Sequence, residues 1–502
     1  MYKFVNPTDT NTIQNVTSLQ TLFNGNNLDK ELSDDTGSFV TLTVSGRSNL
    51  NQRINTIDVP GLDGTNEYSN PTFDIREITI KYKLIDQTKE GFRQRYNRLN
   101  SLLDGSKKEL AFTDEDAVFY ATLQTNEVPE EETNSVIGNL IFLCSDPFKY
   151  GPEQQINFTD NVATVVNDGT VDTSPIFQLE VLSPITFAMI QNQNGDYMMI
   201  GKPVNIEDQE PFEKYERLLY SDGDTLSGWS IASPGEINGN ITGSMETDGT
   251  RFQASDYGKG SSWHGPAIKT SLSEPISDFR LTTFVSFLNE RNPSNVGRVE
   301  VYLLDVNGNQ VAKIAMKDTM VGQALSWGEA RAGDNDNNYF LISEYGDKMG
   351  NWNDFVGHIR IERVANHWKA YFAKVDTTTG RHHTRRFANW VDSQGVFDRT
   401  VAQVVVHVGE YKNHLTPSMG VHSLNIFKIN QQTDGIPYIA DQGDTITFNH
   451  EFEEVYINGE YREELLTDLG VEFFKLSKGK NQLILLPHNK FNVSGYYRER
   501  YK

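Results

Sequence analysis

The sequence predicts a mainly β protein of several domains, interrupted by one clear helix, and three observations carry that expectation. The chain has 502 residues, which at about 150 residues per domain gives a prior of three domains. Most segments alternate apolar and polar residues with period two between clusters of Gly, Asn, Asp and Pro, the pattern of half-buried strands. Hydrophobic residues make up 37% and aromatics 11%, enough for real cores and incompatible with wholesale disorder.

Phe39 to Val44 alternates in this way. Ile78, Ile80, Tyr82 and Leu84 alternate with Thr79, Lys81 and Lys83, a strand with one buried face. Gly91–Leu103 reads as the helix, because Phe92, Tyr96, Leu99, Leu102 and Leu103 share a face while Arg93, Arg95 and Arg98 lie elsewhere. Thr88 is placed to cap its start and Gly105 to stop it. A lone helix between strands fits a sheet with one packed helix, not a parallel α/β fold. Cys144 ends the apolar run Leu140–Cys144 and reads as a small buried hydrophobe. As the single cysteine it excludes an intramolecular disulfide and multi-cysteine metal sites. The Asn-Gly pair in Leu303–Val311 marks a hairpin, since both turn positions favour φ > 0.

Punctuation falls at Asp146–Pro147 with Gly151–Pro152, at Gly201–Pro211 and at Gln431–Pro437. Between the last two lie all six tryptophans and eight of the ten histidines, so about 213–432 reads as a separate module. The expected domains are 1–150, 151–212 with 433–502, and 213–432. No repeat of fixed period stands out.

A net charge of −23 disfavours binding to phosphate backbones and gives no attraction to an anionic bilayer. Met1–Thr10 lacks a basic segment followed by an apolar one, and no apolar run approaches bilayer length, with a mean hydropathy of −0.52. The expectation is a protein that stays soluble where it is made.

Catalytic signatures are missing: no H-E-x-x-H, no G-x-S-x-G, no P-loop, and no G-x-G-x-x-G after a strand. Tyr257–Ser262 reads as a turn. With 68 acids, paired carboxylates for glycoside hydrolysis stay open but unspecific, and the expectation is a non-enzymatic protein. Asp334–Asn338 offers side-chain oxygens suited to Ca²⁺, or an ordinary Asx-rich turn; no other cofactor is expected. Arg381–Arg386 suits an acidic wall polymer or a solvated loop, and its adjacent His382 and His383 would point to opposite faces of a strand. Glu130–Glu132 reads as a loop tip.

Aromatic residues beside polar ones are the sharper lead. Sugar rings pack their C–H faces on Trp or Tyr while hydroxyls take planar polar partners. Trp263–His264, Asn351–Asp354, Asn366–Lys369 and Asn389–Asp392 supply both; the alternative is that these tryptophans fill a core. Trp368 shares a strand face with Ala370 and Phe372 and reads as core. Trp263 and Trp352 sit among small polar residues, so we expect them to be exposed stacking residues, with His264, Asn351, Asn353 and Asp354 as hydroxyl partners.

From Phe39–Arg47 onward the sequence resembles the distal tail proteins of long-tailed siphophages. The likeness continues through Ile78–Leu84, Gly91–Leu103, Leu110–Glu115 and Asn139–Tyr150, and returns at Tyr456–Glu460, Leu469–Phe474 and Phe491–Tyr501. These blocks span about 1–212 and 433–502. The resemblance implies a hexameric ring at the virion's tail tip, assembled in the host cytoplasm, that joins the tail tube protein to the tail-associated hub or fibre protein. It implies an N-terminal β-sandwich with a helix forming a belt, centred on 1–150, and a galectin-like β-sandwich from both flanks of the module. If such a ring is right, acids facing its channel would let DNA pass without sticking. The Trp- and His-rich stretch resembles the carbohydrate-binding insertions of enlarged members, which implies a jelly-roll-like sandwich. It leaves the outer sandwich as a plain adaptor or a receptor-binding platform, with a receptor-binding protein and host cell-wall saccharide as further partners. The competing readings are a wall-degrading glycoside hydrolase of the virion and a free lectin-like adhesin.

Overall fold

The computed structural model describes residues 19–48, 50–68, 70–128, 130–204, 210–432, 435–466 and 472–502. The readings on Met1–Thr10, and on parts of 201–211, 431–437 and Leu469–Phe474, lie outside these residues.

Three main hydrophobic cores organise the chain. The first gathers Phe23, Phe39, Ile78, Ile80, Tyr82, Leu84, Phe142 and Cys144 with Phe92 and Leu99 of the helix. Arg76–Asp86 is its central strand, antiparallel to Gly37–Ser45 on one side and Ser135–Cys144 on the other. Its inward residues Ile78, Ile80, Tyr82 and Leu84 are fully buried, as the alternation requires. The helix runs Lys89–Leu102, and the Thr88 hydroxyl accepts the N–H of Gly91 at 3.0 Å. The helix ends on Leu103, with Gly105 at φ +117° two residues beyond. Arg95 ties the helix to the sheet through the buried Asp86 carboxylate at 2.8 Å. A second short helix, Leu28–Glu31, carries no strong sequence signal. Its Asp29 carboxylate accepts the backbone N–H of Thr21 and Thr41, which is why Thr41 is buried.

Residues 51–68 and 70–73 leave this core as an arm of two short antiparallel ladders, Gln52–Arg53 with Thr72–Phe73 and Thr56–Ile57 with Asn66–Glu67. Ile54, Ile57, Val59, Leu62 and Tyr68 are exposed along it.

The second core is built from both ends of the remaining chain: Phe177, Leu179, Ile190 and Ile200 pack with Ile446, Phe448, Leu483 and Leu485. The last strand, Phe491–Tyr501, lies between Lys149–Ile156 and Ile176–Val181, so a single hydrogen-bonded sheet runs from the first core into the second. Val162–Asn167, Gly479–Leu486, Phe187–Asn192 and Tyr197–Gly201 form the facing sheet.

Between these flanks an eight-stranded and a nine-stranded sheet enclose the third and largest core. The chain enters and leaves it side by side, Pro211 and Phe212 pairing in parallel with Ile436 and Pro437. The Asn-Gly hairpin joins Gly297–Leu304 to Gln310–Asp318. Its connection spans residues 305–309, with the Asp305 carboxylate accepting the N–H of Asn307 and Asn309, and only Gly308 of the pair takes positive φ, +84°. A wider Asx-stabilised turn replaces the two-residue turn because Asp305 supplies the backbone's missing acceptor.

Candidate functional site

The nine-stranded sheet is unusual in carrying charges on the face turned away from its core. Gly297–Leu304 sends Val299, Val301 and Leu303 inward, which leaves Arg298, Glu300 and Tyr302 outward. Gln310–Asp318 buries Ala312, Ile314 and Met316 in the core and turns Lys313 and Lys317 outward. Trp327–Gly333 sends Ala330 and Ala332 inward and Trp327, Glu329 and Arg331 outward.

Strand register then makes a row. Arg298 lies opposite Lys317, and Lys317 opposite Trp327. At the other end the Arg298 guanidinium sits 4.3 Å from the Trp263 ring. Four strand spacings of about 4.8 Å separate the strands of the two indoles, about 19 Å. Both tryptophans are half-buried and braced by tyrosines, Trp263 by Tyr411 with centroids 5.1 Å apart and Trp327 edge-on to Tyr345 at 4.3 Å. The Trp327 Nε1–H has no hydrogen-bond partner among the described residues.

Beneath the row the face is locked by buried charge. Lys313 bridges Glu300 at 2.7 Å and Glu329 at 3.1 Å, and Lys317 also contacts Glu329. Burial alone would raise the Glu300 carboxyl, but Arg298 and Lys313 outweigh it and hold it well below the carboxylate range. Burial also pushes His407 down to about 4, so its neutral ring donates Nδ1–H to the Pro266 carbonyl at 2.9 Å. A strap over residues 232–241 covers the far end, where Asn238 donates its N–H to the Tyr302 hydroxyl and accepts from Arg298. Both cations of the row are engaged, the buried Arg298 by the Asn238 carbonyl and Glu300 and Lys317 by Glu329, so what the row presents is two half-buried indoles about 19 Å apart.

The residues expected from sequence do not converge. Trp263 belongs to the row. His264, beside it, is fully buried, with Nδ1 2.8 Å from the Ser262 carbonyl and Nε2 3.1 Å from Glu410, so it does not face solvent as a hydroxyl partner. Trp352 is fully buried, which corrects the expectation of exposure. Its ring fills the space that Gly328 leaves by having no side chain, against Phe355 and Phe372, and its Nε1–H donates to the Thr384 carbonyl at 3.2 Å. Asn353 is buried too: its Oδ1 accepts the Ser326 N–H and its Nδ2 donates to the Ala324 carbonyl, both at 2.8 Å. Asp354 accepts the Glu290 N–H at 2.7 Å, and Asn351 is half-buried in the same turn. Asn351–Asp354 is thus a polar knot at one end of the sandwich, on the core side of the sheet whose opposite face holds Trp263. Polar neighbours suggested exposure there, but their amides and carboxylates satisfy loop backbone. Arg298, Lys317 and Trp327 were missed, although the alternation of charged and apolar residues through 298–303 and 312–317 marks a sheet with a charged outer face.

Two other motifs are absorbed structurally. Asp334 accepts the N–H of Asp336 and Asn337, closing the turn between Trp327–Gly333 and Asn338–Glu344. Among the described residues no three His, Cys, Asp or Glu side chains are grouped to hold a metal. In the basic cluster, Arg381 pairs with Glu454, Arg385 lies over Tyr461 and Arg386 pairs with Glu344. His382 is buried and His383 exposed, on opposite faces of their strand. Most of the cluster therefore binds the chain itself.

With this geometry in place, the comparisons with known proteins give a class. Residues 28–144 match the phage tail protein RIFT-related domain, and residues 414–501 match the C-terminal domain of the siphovirus-type tail component. Both flanks of the chain thus match phage tail domains, in the order the resemblance to distal tail proteins implies. A curated relative is the distal tail protein of Bacillus phage SPP1, 25% identical over 205 residues, which cover 39% of this chain and 79% of the relative. The crystal structure of the SPP1 protein, described as a hub adsorption apparatus paradigm, has a TM-score of 0.32 at 23% identity, covering 37% of this chain and 76% of that one. The CBM2 module of the evolved distal tail protein of Lactobacillus casei BL23 phage J-1 has a TM-score of 0.37 at 15% identity, covering 44% of this chain and 98% of that one.

Proposed function

We propose that the chain is a non-enzymatic structural ring protein of a phage tail tip, six copies joining the tail tube to a hub or fibre protein, with 213–432 inserted as a saccharide-binding module. The observation that carries this reading is the bracketing: tail-component domains match at 28–144 and 414–501, and the large two-sheet sandwich lies almost wholly between them. The row Trp263–Arg298–Lys317–Trp327 is the saccharide face, its half-buried indoles stacking on sugar rings. Each copy binds weakly, and six copies raise avidity by about 10²–10⁴ when they engage together.

The arm over 51–73 supplies the subunit contact. Its apolar side chains find no cover among the described residues, and a cyclic assembly repeats one contact at every interface. Negative-stain microscopy of the purified chain tests the reading: six-fold rings are expected, and Ile57→Asp with Leu62→Asp should reduce them to monomers. Wild-type monomers that lyse host walls would overturn it.

A further inference from the structure

Away from that face, a cleft of about 760 Å³ separates the outer side of the eight-stranded module sheet from the flanking sandwich. That volume lies in the range of ligand sites, and junctions between packed units are where such sites concentrate. The module wall carries Glu213, Lys214, Arg217, Arg280 and Arg360 with His358 and His382, a net positive set, and the opposite wall carries Asp441, Asp444 and Glu460 with Arg462, a net negative one.

Most of this charge is already matched. Arg360 grips Glu460 across the cleft with two hydrogen bonds of 2.7 and 2.9 Å. Arg280 is held by Glu362 at 2.7 Å and by the Tyr215 hydroxyl, its guanidinium 3.7 Å from that ring. Burial keeps both imidazoles neutral near pH 7, at about 4 each, and they stack with centroids 5.0 Å apart. The remaining groups are looser: Lys214 and Arg217 lie over the Tyr215 and Tyr220 rings, the exposed Asp441 carboxyl feels the Arg217 charge, and the buried His358 Nδ1 has no hydrogen-bond partner among the described residues.

A neutral imidazole nitrogen and a carboxyl, set between tyrosine faces, ask for groups that both donate and accept. Walls of opposite sign oppose a net anion from one side and a net cation from the other. Hydroxyls satisfy both requirements, and the rings of Tyr371 and Tyr438 offer flat apolar surface to C–H groups. We propose that this cleft is a second binding site, shared by the module and the flanking sandwich, for a neutral, hydroxyl-rich ring of the hexose class. The proposal stands apart from the Trp263–Trp327 face and does not require it.

Saturation-transfer NMR on the full chain tests it, with glucose, galactose and N-acetylglucosamine as probes and inorganic phosphate as the charged control. In a Trp263→Ala/Trp327→Ala background at least one sugar should still show transfer, and adding Thr282→Trp, which fills the cleft, should abolish it. Asp441→Ala, at an exposed position on the rim of the cleft, gives an independent variant that should weaken the same sugar about tenfold, a loss of about 1.4 kcal/mol. Binding of phosphate in place of the sugars, no transfer from any sugar, or transfer indifferent to both Thr282→Trp and Asp441→Ala would overturn the proposal. Failure of the outer face alone would show as sugar transfer unchanged by the two tryptophan substitutions and lost with Thr282→Trp.

Discussion

The six tryptophans differ in what surrounds them, and that difference decides which can meet a ligand. Trp352 and Trp368 are enclosed in the module core, Trp368 against Phe279 with centroids 5.8 Å apart. Trp390 is half-buried and stacked face to face on Tyr339 at 3.8 Å. Trp352→Ala should therefore destabilise the module by about 3–5 kcal/mol, the cost of emptying a large aromatic site. Trp327→Ala and Trp263→Ala should each move stability by about 1 kcal/mol or less and weaken binding to purified host cell walls. Denaturant melts followed by tryptophan fluorescence, with a wall pull-down on the same samples, check both halves. A large stability loss in Trp327→Ala would make it a core residue and remove the row as a site. Sequence separated Trp368 correctly because its strand alternates cleanly around it. It misjudged Trp352 because Gly328, whose missing side chain makes the room, is 24 positions earlier and reaches it only through the fold.

At the scale of single elements, local signals were read well where the partner was also local. The helix cap Thr88–Gly91, the alternation in Arg76–Asp86 and the hairpin between Gly297–Leu304 and Gln310–Asp318 all depend on near neighbours. The hairpin of His367–Val375 and His382–Val391 was opaque in its meaning, since Arg381 in its turn answers to Glu454, 73 positions later, and Arg386 to Glu344 in an earlier strand. Its turn docks on the flanking sandwich: His382 donates its N–H to the Gly459 carbonyl at 3.0 Å, and Arg381 reaches Glu454 at 2.8 Å. His382 faces Tyr371, Arg360, Arg385 and His358 from the module and Glu460 from the sandwich; His358 faces Phe284 and Arg360 as well. Burial holds both rings at about 4, below the ordinary 6.5, so the docked state binds fewer protons than the undocked one between those values. Docking is then strongest above pH 6.5 and weakens as pH falls towards 4. Glu460, held at about 2 by Arg360 against its burial, adds a loss only at still lower pH. Small-angle scattering across this range should show the module swinging outward on acidification, with the transition flattened in His358→Gln/His382→Gln. An identical pH profile in that variant would assign the effect to other groups, such as the buried His407 and His450.

For the whole molecule, the question is whether the middle of the chain folds without its flanks. Its core includes no residue of the flanking sandwich: every buried member lies between Met245 and Ile426. The two connections pair with each other at Pro211–Ile436 and Phe212–Pro437, so removing what lies between them leaves ends already adjacent. What crosses the junction is mainly charge, Arg360 with Glu460 and Arg381 with Glu454, and partly exposed ion pairs contribute only about 0–1 kcal/mol each. Losing them is small beside a core of more than thirty buried apolar residues. Residues 210–437 expressed alone should therefore unfold in one cooperative transition by tryptophan fluorescence and calorimetry. The reciprocal chain, with 213–432 replaced by a short Gly-Ser link, should keep its own melt, because Phe177, Leu179, Ile446 and Phe448 still pack with Leu483 and Leu485. A broad, non-cooperative melt of the excised segment, or collapse of the flanking sandwich on deletion, would mean that the junction holds the two together as one folding unit.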